Sequence, residues 1–353
     1  MRMRYTTFGR NTGLRVSEYA LGTANFGTLW GGGANRDESR KMFERFAEAG
    51  GTFIDSADNY QVGDAENMLG EFLAADRDHF VLTTKFTLGA GRARISNTGN
   101  SRKNIRSSVE ASLKRLRTDH IDVYWAHLPD SVTPVEEVLA ALDDLVHAGK
   151  ILHAGLSNFP AWRISRAATI AELRGLSGLV GIQFEYSLAE RGADRELLPM
   201  AEALGLGTAL WSPLGGGLLT GKYRESRRGR LSDWEGQAIR VEDSEQRTEV
   251  INSVLAVAEE TGASAGQVAM AWLRARAERS SSTMVPVIGP RTVDQLEDYL
   301  GALDVTLDDA QFDRLEQASA IRLGQPYELI AGHREAVLGR EAGRFIRPTT
   351  PVA

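Results

Sequence analysis

Short apolar runs alternate with longer amphipathic ones along most of this chain. Runs of strand character cover residues 20–26, 52–56, 80–86, 121–127, 151–157, 181–186, 207–213 and 283–289, and each is followed by a segment of helical spacing. Val135, Val138, Leu139, Leu142, Leu145 and Val146 form one stripe of a 3.6-residue helix that closes at Gly149. Ile105, Val109, Leu113 and Leu116 form another. Ser264, with Gln267 three residues on, reads as a capping box opening the helix that carries Val268, Trp272 and Leu273. Gly50-Gly51 ends the first helix just before a strand. Ahead of this alternation, residues 5–8 and 14–16 flank a turn-rich stretch and predict a β-hairpin.

Strands separated by helices imply parallel pairing through right-handed crossovers. Runs such as FVLTTKF and IDVYWAH are nearly continuously apolar, as strands buried on both faces are. Eight βα repeats without a break in composition predict an α/β fold, a single closed (β/α)8 TIM barrel with an N-terminal hairpin. The rival arrangement is a doubly wound open sheet. One domain is expected over residues 1–353, with its core at 4–320 and a C-terminal extension at 321–353. The longest insertion, 222–247, is charged and follows strand seven, where a loop of that length serves as a lid or stays unstructured. Past Phe312 a last short helix gives way to a polar tail with little pattern.

Composition narrows the function. Among 353 residues, 41 Lys and Arg against 47 Asp and Glu leave a net charge of −6, which excludes a broadly basic nucleic-acid binder. No run of about 18 apolar residues is present to span a membrane. The opening MRMRYTTFGRN is basic but has no apolar run behind it, unlike a secretory leader. The absence of cysteine removes disulfides, thiolate nucleophiles and Cys-bound metals, and fits a cytoplasmic protein.

In a barrel, chemistry sits at the C-terminal ends of the strands. There the chain places Asp55 closing strand two, Tyr60 in the loop after it, Lys85 near the end of strand three, and His127 ending strand four. Taken singly, the Asp is a helix cap, the Tyr a loop residue and the His a core histidine. A Lys inside an apolar strand is different, because a buried ammonium is costly without a carboxylate. Four such residues together suit a proton-donating site. An ammonium beside a phenol lowers the phenol's pKa from its free value of roughly 10, and a carboxylate keeps the Lys charged. His127 would orient a carbonyl or share the proton. Other sites lack their parts. No GxGxxG follows the first strand, and GGLLTGK departs from a P-loop where Tyr223 replaces the Mg²⁺-holding Ser or Thr. The 6 His form neither His-x-His nor HExxH, so no metal is expected. No GxSxG elbow is present.

The residues as a set resemble the aldo-keto reductases. The resemblance runs through Gly22-Thr23-Ala24-Asn25-Phe26-Gly27, FIDSADNY, TTK and DVYWAHLPD, then GLSNFP, IQFEYS, WSPLGGGLLTGKY and VPVIGPRTVDQLEDYL. It covers about residues 4 to 320 in the family's order, and among the family's branches the chain looks most like bacterial relatives of aryl-alcohol dehydrogenases. It implies a barrel that binds NADPH without a Rossmann domain and reduces aldehydes or ketones to alcohols. By the same resemblance Tyr60 is the general acid, Asp55 and Lys85 tune it, and His127 positions the carbonyl. The nicotinamide would stack on Trp211, with Ser157, Asn158 and Gln183 on its carboxamide. Cofactor contacts are also implied at Gly22, Thr23, Ala24 and Asp55, and at Ser212 and Pro213. The run from Leu214 through Gly216 and Leu218 to Lys222 would bring backbone N–H groups to the pyrophosphate. Gly289, Arg291, Gln295 and Tyr299 would reach the adenosine end.

Two positions depart from the family pattern. Tyr299 stands where many relatives have an Asn on the adenine, and Arg291 is the cation nearest Gln295. Arg suits a bidentate phosphate contact, so NADPH is expected ahead of NADH. Arg224, Arg227, Arg228 and Arg230 form a basic cluster that either folds over the cofactor phosphates or faces solvent. Phe26, Trp30 and Trp125, assigned to early βα loops, would wall an apolar pocket for a small-molecule carbonyl substrate. The alternative is a nicotinamide-sensing regulatory subunit with little turnover, as potassium-channel beta subunits resemble reductases. A metal-dependent barrel hydrolase lacks ligands. Oligomeric state is left open.

Overall fold

A computed structural model of the chain describes residues 3–91, 94–225 and 241–346. The hairpin is present, β1 (Tyr5–Thr7) pairing antiparallel with β2 (Arg15–Ser17). The barrel strands are β3 (Ala20–Gly22), β4 (Phe53–Asp55), β5 (Val81–Phe86), β6 (Ile121–Ala126), β7 (Ile151–Ser157), β8 (Leu179–Glu185), β9 (Gly207–Trp211) and β10 (Met284–Ile288). All pair in parallel and in chain order, and β10 closes onto β3. That closure removes the two free edges an open sheet would have, so the fold is the (β/α)8 barrel. Helices α1 (Arg36–Glu48), α2 (Asp64–Phe72), α3 (Arg102–Leu116) and α4 (Val135–His147) follow β3 to β6. The Ser264–Gln267 capping box forms, opening the helix Ala265–Glu278.

Inward side chains fill the barrel instead of leaving a pore. Phe8, Phe53, Val81, Val123, Trp125 and Val285 pack into one cluster. Phe8, from the hairpin side, meets Trp125 edge-on with ring centroids 6.1 Å apart. Room for these rings comes from absent side chains. A Cβ on Gly155 would lie 2.2 Å from Trp125, and one on Gly181 would lie 2.5 Å from Phe8. With its base plugged this way, the barrel opens at the other end, where β4, β7 and β8 terminate in Asp55, Ser157 and Glu185.

Three expectations change. The run 20–26 is strand only over Ala20–Gly22, because the chain then leaves the sheet and folds a loop closed by the Phe26–Ala34 bridge. The insertion 222–247 begins with a helical turn, Lys222–Glu225, and ends inside the helix Glu245–Thr261; residues 226–240, including Arg227, Arg228 and Arg230, lie outside the described residues. The polar tail contains a helix, Tyr327–Val337. It buries none of its residues, and Leu329, Ile330 and Val337 stand exposed on it.

Candidate active site

Parallel register brings the four candidate residues together. Asp55 ends β4 opposite Thr83, and Lys85 is two residues further along β5. The Lys85 ammonium is fully buried, and it donates to Asp55 Oδ2 at 2.7 Å, the Ser56 carbonyl at 2.7 Å and the Tyr60 hydroxyl at 3.2 Å. All three of its N–H donors are thereby used. The other carboxylate oxygen of Asp55 accepts from Thr83 at 2.9 Å and from Gln183 at 2.8 Å. Tyr60 opens the turn Tyr60–Gly63 just after β4, and the Asp58 N–H ties that segment to the Lys85 carbonyl at 3.0 Å. The His127 ring stands edge-on to Tyr60 with centroids 6.0 Å apart.

The electrostatics correct one expectation. Burial pushes the Tyr60 hydroxyl up, Lys85 pulls it down and Asp55 pushes it up again, so the net direction is upward. The phenol therefore holds its proton through the neutral range instead of becoming unusually acidic. Lys85 acts on the other side of the transfer, where its charge stabilises a phenolate. Burial alone would lower the Lys85 pKa, but the Asp55 carboxylate outweighs it and the ammonium is held above its ordinary value. Burial, helped by Lys85, drives His127 down to about 3, so its imidazole is neutral. His127 Nδ1 is buried without a hydrogen-bond partner among the described residues. Such an atom fits a site that completes its hydrogen bonds with a ligand.

Tyr60, His127 and Asp55 line a cavity of about 260 Å³ at the C-terminal mouth of the barrel. Gly22, Ala24, Asn158, Gln183, Trp211, Ser212 and Pro213 share that lining, as does Trp30. A second cavity, of about 340 Å³, is lined by Lys222, Arg291, Gln295, Asp294, Asp298 and Thr220. The two share Leu214, Gly216, Gly217, Gly289 and Tyr299, and so form one groove from Tyr60 to Arg291. Gly216 and Gly217 both take positive φ, and a Cβ on Gly217 would lie 2.8 Å from the Lys222 ammonium. Bare backbone with a cation against it is a cradle suited to phosphate oxygens. A long groove with an indole at one end and this cradle midway fits a dinucleotide. Asn158 sits at φ 58° and accepts from the Trp211 indole at 3.0 Å, which fixes the ring's tilt. Among the described residues no cluster of His, Cys, Asp or Glu is disposed to hold a metal, and no helix there is long and apolar enough to cross a membrane.

Several residues singled out in the sequence are elsewhere. Trp125 lies within β6, not on a loop, and is wholly buried in the barrel interior. Phe26 is equally buried, against Phe72 of α2. Neither forms a pocket wall, because both point into packed core. Thr23, Ser157 and Leu218 are also buried and do not line the groove. Thr23 instead bonds the Asp55 carbonyl at 3.1 Å, and Ser157 accepts from Asn158 at 3.0 Å. Arg224 pairs with Glu242 at 2.6 Å. Missed were Asn25, which lines the inner cavity and donates to the Gly289 carbonyl at 2.9 Å, and the pair Asp294 and Asp298. The carboxylates were legible as neighbours of Gln295 and Arg291 at helical spacing, but Asn25 was not, since a loop has no period.

A profile described as Aldo/keto reductase family matches residues 19–320 of the chain. Norsolorinic acid reductase stcV of Emericella nidulans is 36% identical over 326 residues, 89% of this chain and 81% of that protein. The uncharacterized oxidoreductase YrpG of Bacillus subtilis is 37% identical, covering 87% of this chain and 93% of its own. An aryl-alcohol dehydrogenase (NADP(+)) of Phanerodontia chrysosporium is 32% identical over 97% of this chain and 93% of its own.

Proposed function

The chain belongs to the aldo/keto reductase family, and on that premise we propose that it reduces aromatic aldehydes or ketones to alcohols with NADPH. The observation that carries this reading is the Lys85 ammonium between Asp55 and the Tyr60 hydroxyl, with that hydroxyl on the cavity. When bound in the groove, the dinucleotide supplies a hydride to the carbonyl carbon. Tyr60 gives its proton to the carbonyl oxygen, and Lys85 stabilises the phenolate left behind. Asp55 keeps Lys85 charged and in place. Neutral His127 donates an N–H to the same oxygen, which orients the carbonyl without adding a charge that would repel Lys85. The indole of Trp211 offers a flat face for the nicotinamide, and Lys222 and Arg291 face the phosphates. The aromatic rings of Trp30, Tyr60 and Trp211 suit a planar substrate, in keeping with the relative named an aryl-alcohol dehydrogenase. The absence of cysteine suits work in the cytoplasm.

The test is a panel of aromatic and aliphatic aldehydes incubated with protein and NADPH, followed by loss of reduced-nicotinamide absorbance. Turnover of the aromatic members is expected. Tight NADPH binding with no turnover of any member overturns the enzymatic reading in favour of a nicotinamide sensor.

A further inference from the structure

Two consecutive non-glycine residues, Gln61 (φ 49°, ψ 38°) and Val62 (φ 60°, ψ 30°), are left-handed directly after Tyr60. The conformation is unfavourable for L residues and most so for a β-branched one. Val62 is 48% exposed, so its side chain offers little packing in return. Gln61 behaves differently. Its side chain is only 2% exposed, and both ends of its amide are used. Nε2 donates to the Ala24 carbonyl at 2.8 Å, and Oε1 accepts from the Trp30 backbone N–H at 2.9 Å. Its stem lies against Gly27, where an added Cβ would come within 2.8 Å.

These contacts join two loops. One carries Tyr60. The other leaves β3, is anchored in the core by Phe26, and then runs through Trp30 into Gly31, Gly32 and Gly33. Three glycines leave that tip little intrinsic stiffness. The Trp30 ring nonetheless stands edge-on to Tyr60, centroids 5.9 Å apart and planes at 81°, and both rings line the cavity. Backbone strain beside a reactive group persists where surrounding contacts over-determine it, and here the contacts are those of the Gln61 amide.

We propose that Gln61 is a specificity-determining positioning residue: it latches the glycine-rich Trp30 loop to the Tyr60 turn and so fixes the cavity wall against which a flat carbonyl substrate packs. This rests on the carbonyl-reductase reading for the identity of the substrate, but the latch itself does not.

Gln61→Asn separates the latch from the strain. Asn tolerates the left-handed region, yet its amide is one methylene too short to span Ala24 and Trp30. Gln61→Met keeps the reach without the hydrogen bonds. In the ligand-free full-length protein, amide exchange over residues 28–33 is expected to quicken about tenfold in both variants, while the helix Asp64–Phe72 exchanges as before. The dissociation constant of 2-naphthaldehyde, read by tryptophan quenching, should rise about tenfold more than that of propanal, and the KM values should follow. Unchanged exchange over 28–33 overturns the latch. Quickened exchange with equal losses for both aldehydes overturns the role in specificity. A wild type that binds 2-naphthaldehyde but turns over nothing overturns the reductase reading alone.

Discussion

Lys85 donates to the Tyr60 hydroxyl at 3.2 Å while lying 4.8 Å from the centre of its ring, so one buried cation serves both the oxygen and the π face. Removing the hydroxyl while keeping the ring isolates the proton transfer. Tyr60→Phe should lower kcat by about 10²–10⁴ with little change in NADPH affinity. Steady-state kinetics and equilibrium binding check this, and undiminished turnover would end the proton-donor role. Because the Tyr60 pKa is raised, wild-type reduction should stay level through neutral pH and fall only on the alkaline side, as the phenol loses the proton it must give.

The Asp55–Lys85 pair is wholly enclosed, at 2.7 Å. Breaking one side leaves a buried charge without its partner, which costs about 3–5 kcal/mol. Lys85→Met alone should therefore lower the unfolding free energy by about 3 kcal/mol, the low end, since Thr83 and Gln183 still donate to the carboxylate. Adding Asp55→Asn should recover most of that stability while turnover stays abolished. Urea denaturation with parallel assays separates the two effects. A double variant as unstable as the single one would mean the pair is not coupled.

The closed barrel was legible because its strands are short apolar runs and its helices carry clear stripes, both of which are local patterns. The Asp55–Lys85 pairing was legible for a different reason: a Lys in an apolar strand has no good explanation without a carboxylate, and Asp55 was the carboxylate one strand away. Direction of burial was less legible. Trp125 and Lys85 are register partners, yet Trp125 plugs the interior while Lys85 reaches the site, and nothing in IDVYWAH says how far up the barrel each lies. The acidity of Tyr60 was misjudged because sequence reveals the neighbouring charge but not the desolvation that outweighs it. Gln61 was invisible as a latch, since its two partners lie in a loop more than twenty-five residues earlier.

Asp58 supplies a pH-dependent stability. Its carboxyl is buried, and burial, with Glu66 of α2 repelling it, raises its pKa to about 7 despite Arg115 of α3 and the backbone N–H groups of Asn59 and Gly89. Tyr124 of β6 also faces this cluster, with its hydroxyl unpartnered among the described residues. Between about pH 4 and pH 7 the folded protein keeps a proton that the unfolded chain has released. Stability from this group is therefore present at low pH and lost as pH rises through 7, by about 2–4 kcal/mol. Asp58→Asn cannot titrate. Wild type should lose stability relative to this variant between pH 4 and pH 8, as read by denaturant midpoints. The comparison cancels His127, whose lowered pKa works in the opposite sense. A constant difference across that range would mean Asp58 is ionised throughout.

Arg291 lines the outer part of the groove together with Lys222, Asp294 and Asp298, and is expected to discriminate between the two nicotinamide dinucleotides. A 2′-phosphate adds about two negative charges, which the acids repel and which only a close, fork-shaped cation compensates. The Arg291 N–H is itself held by the Gln295 side chain at 2.9 Å, so this stretch enters the helix Val293–Gly301 in a fixed orientation. Arg291→Ala should then weaken NADPH binding by about 2–3 kcal/mol, the size of a charge-assisted hydrogen bond to an ionised group, and change NADH binding by less than about 0.5 kcal/mol. Calorimetric titration with each dinucleotide measures both. Equal losses would show that Arg291 acts on the shared part of the cofactor and does not select the 2′-phosphate.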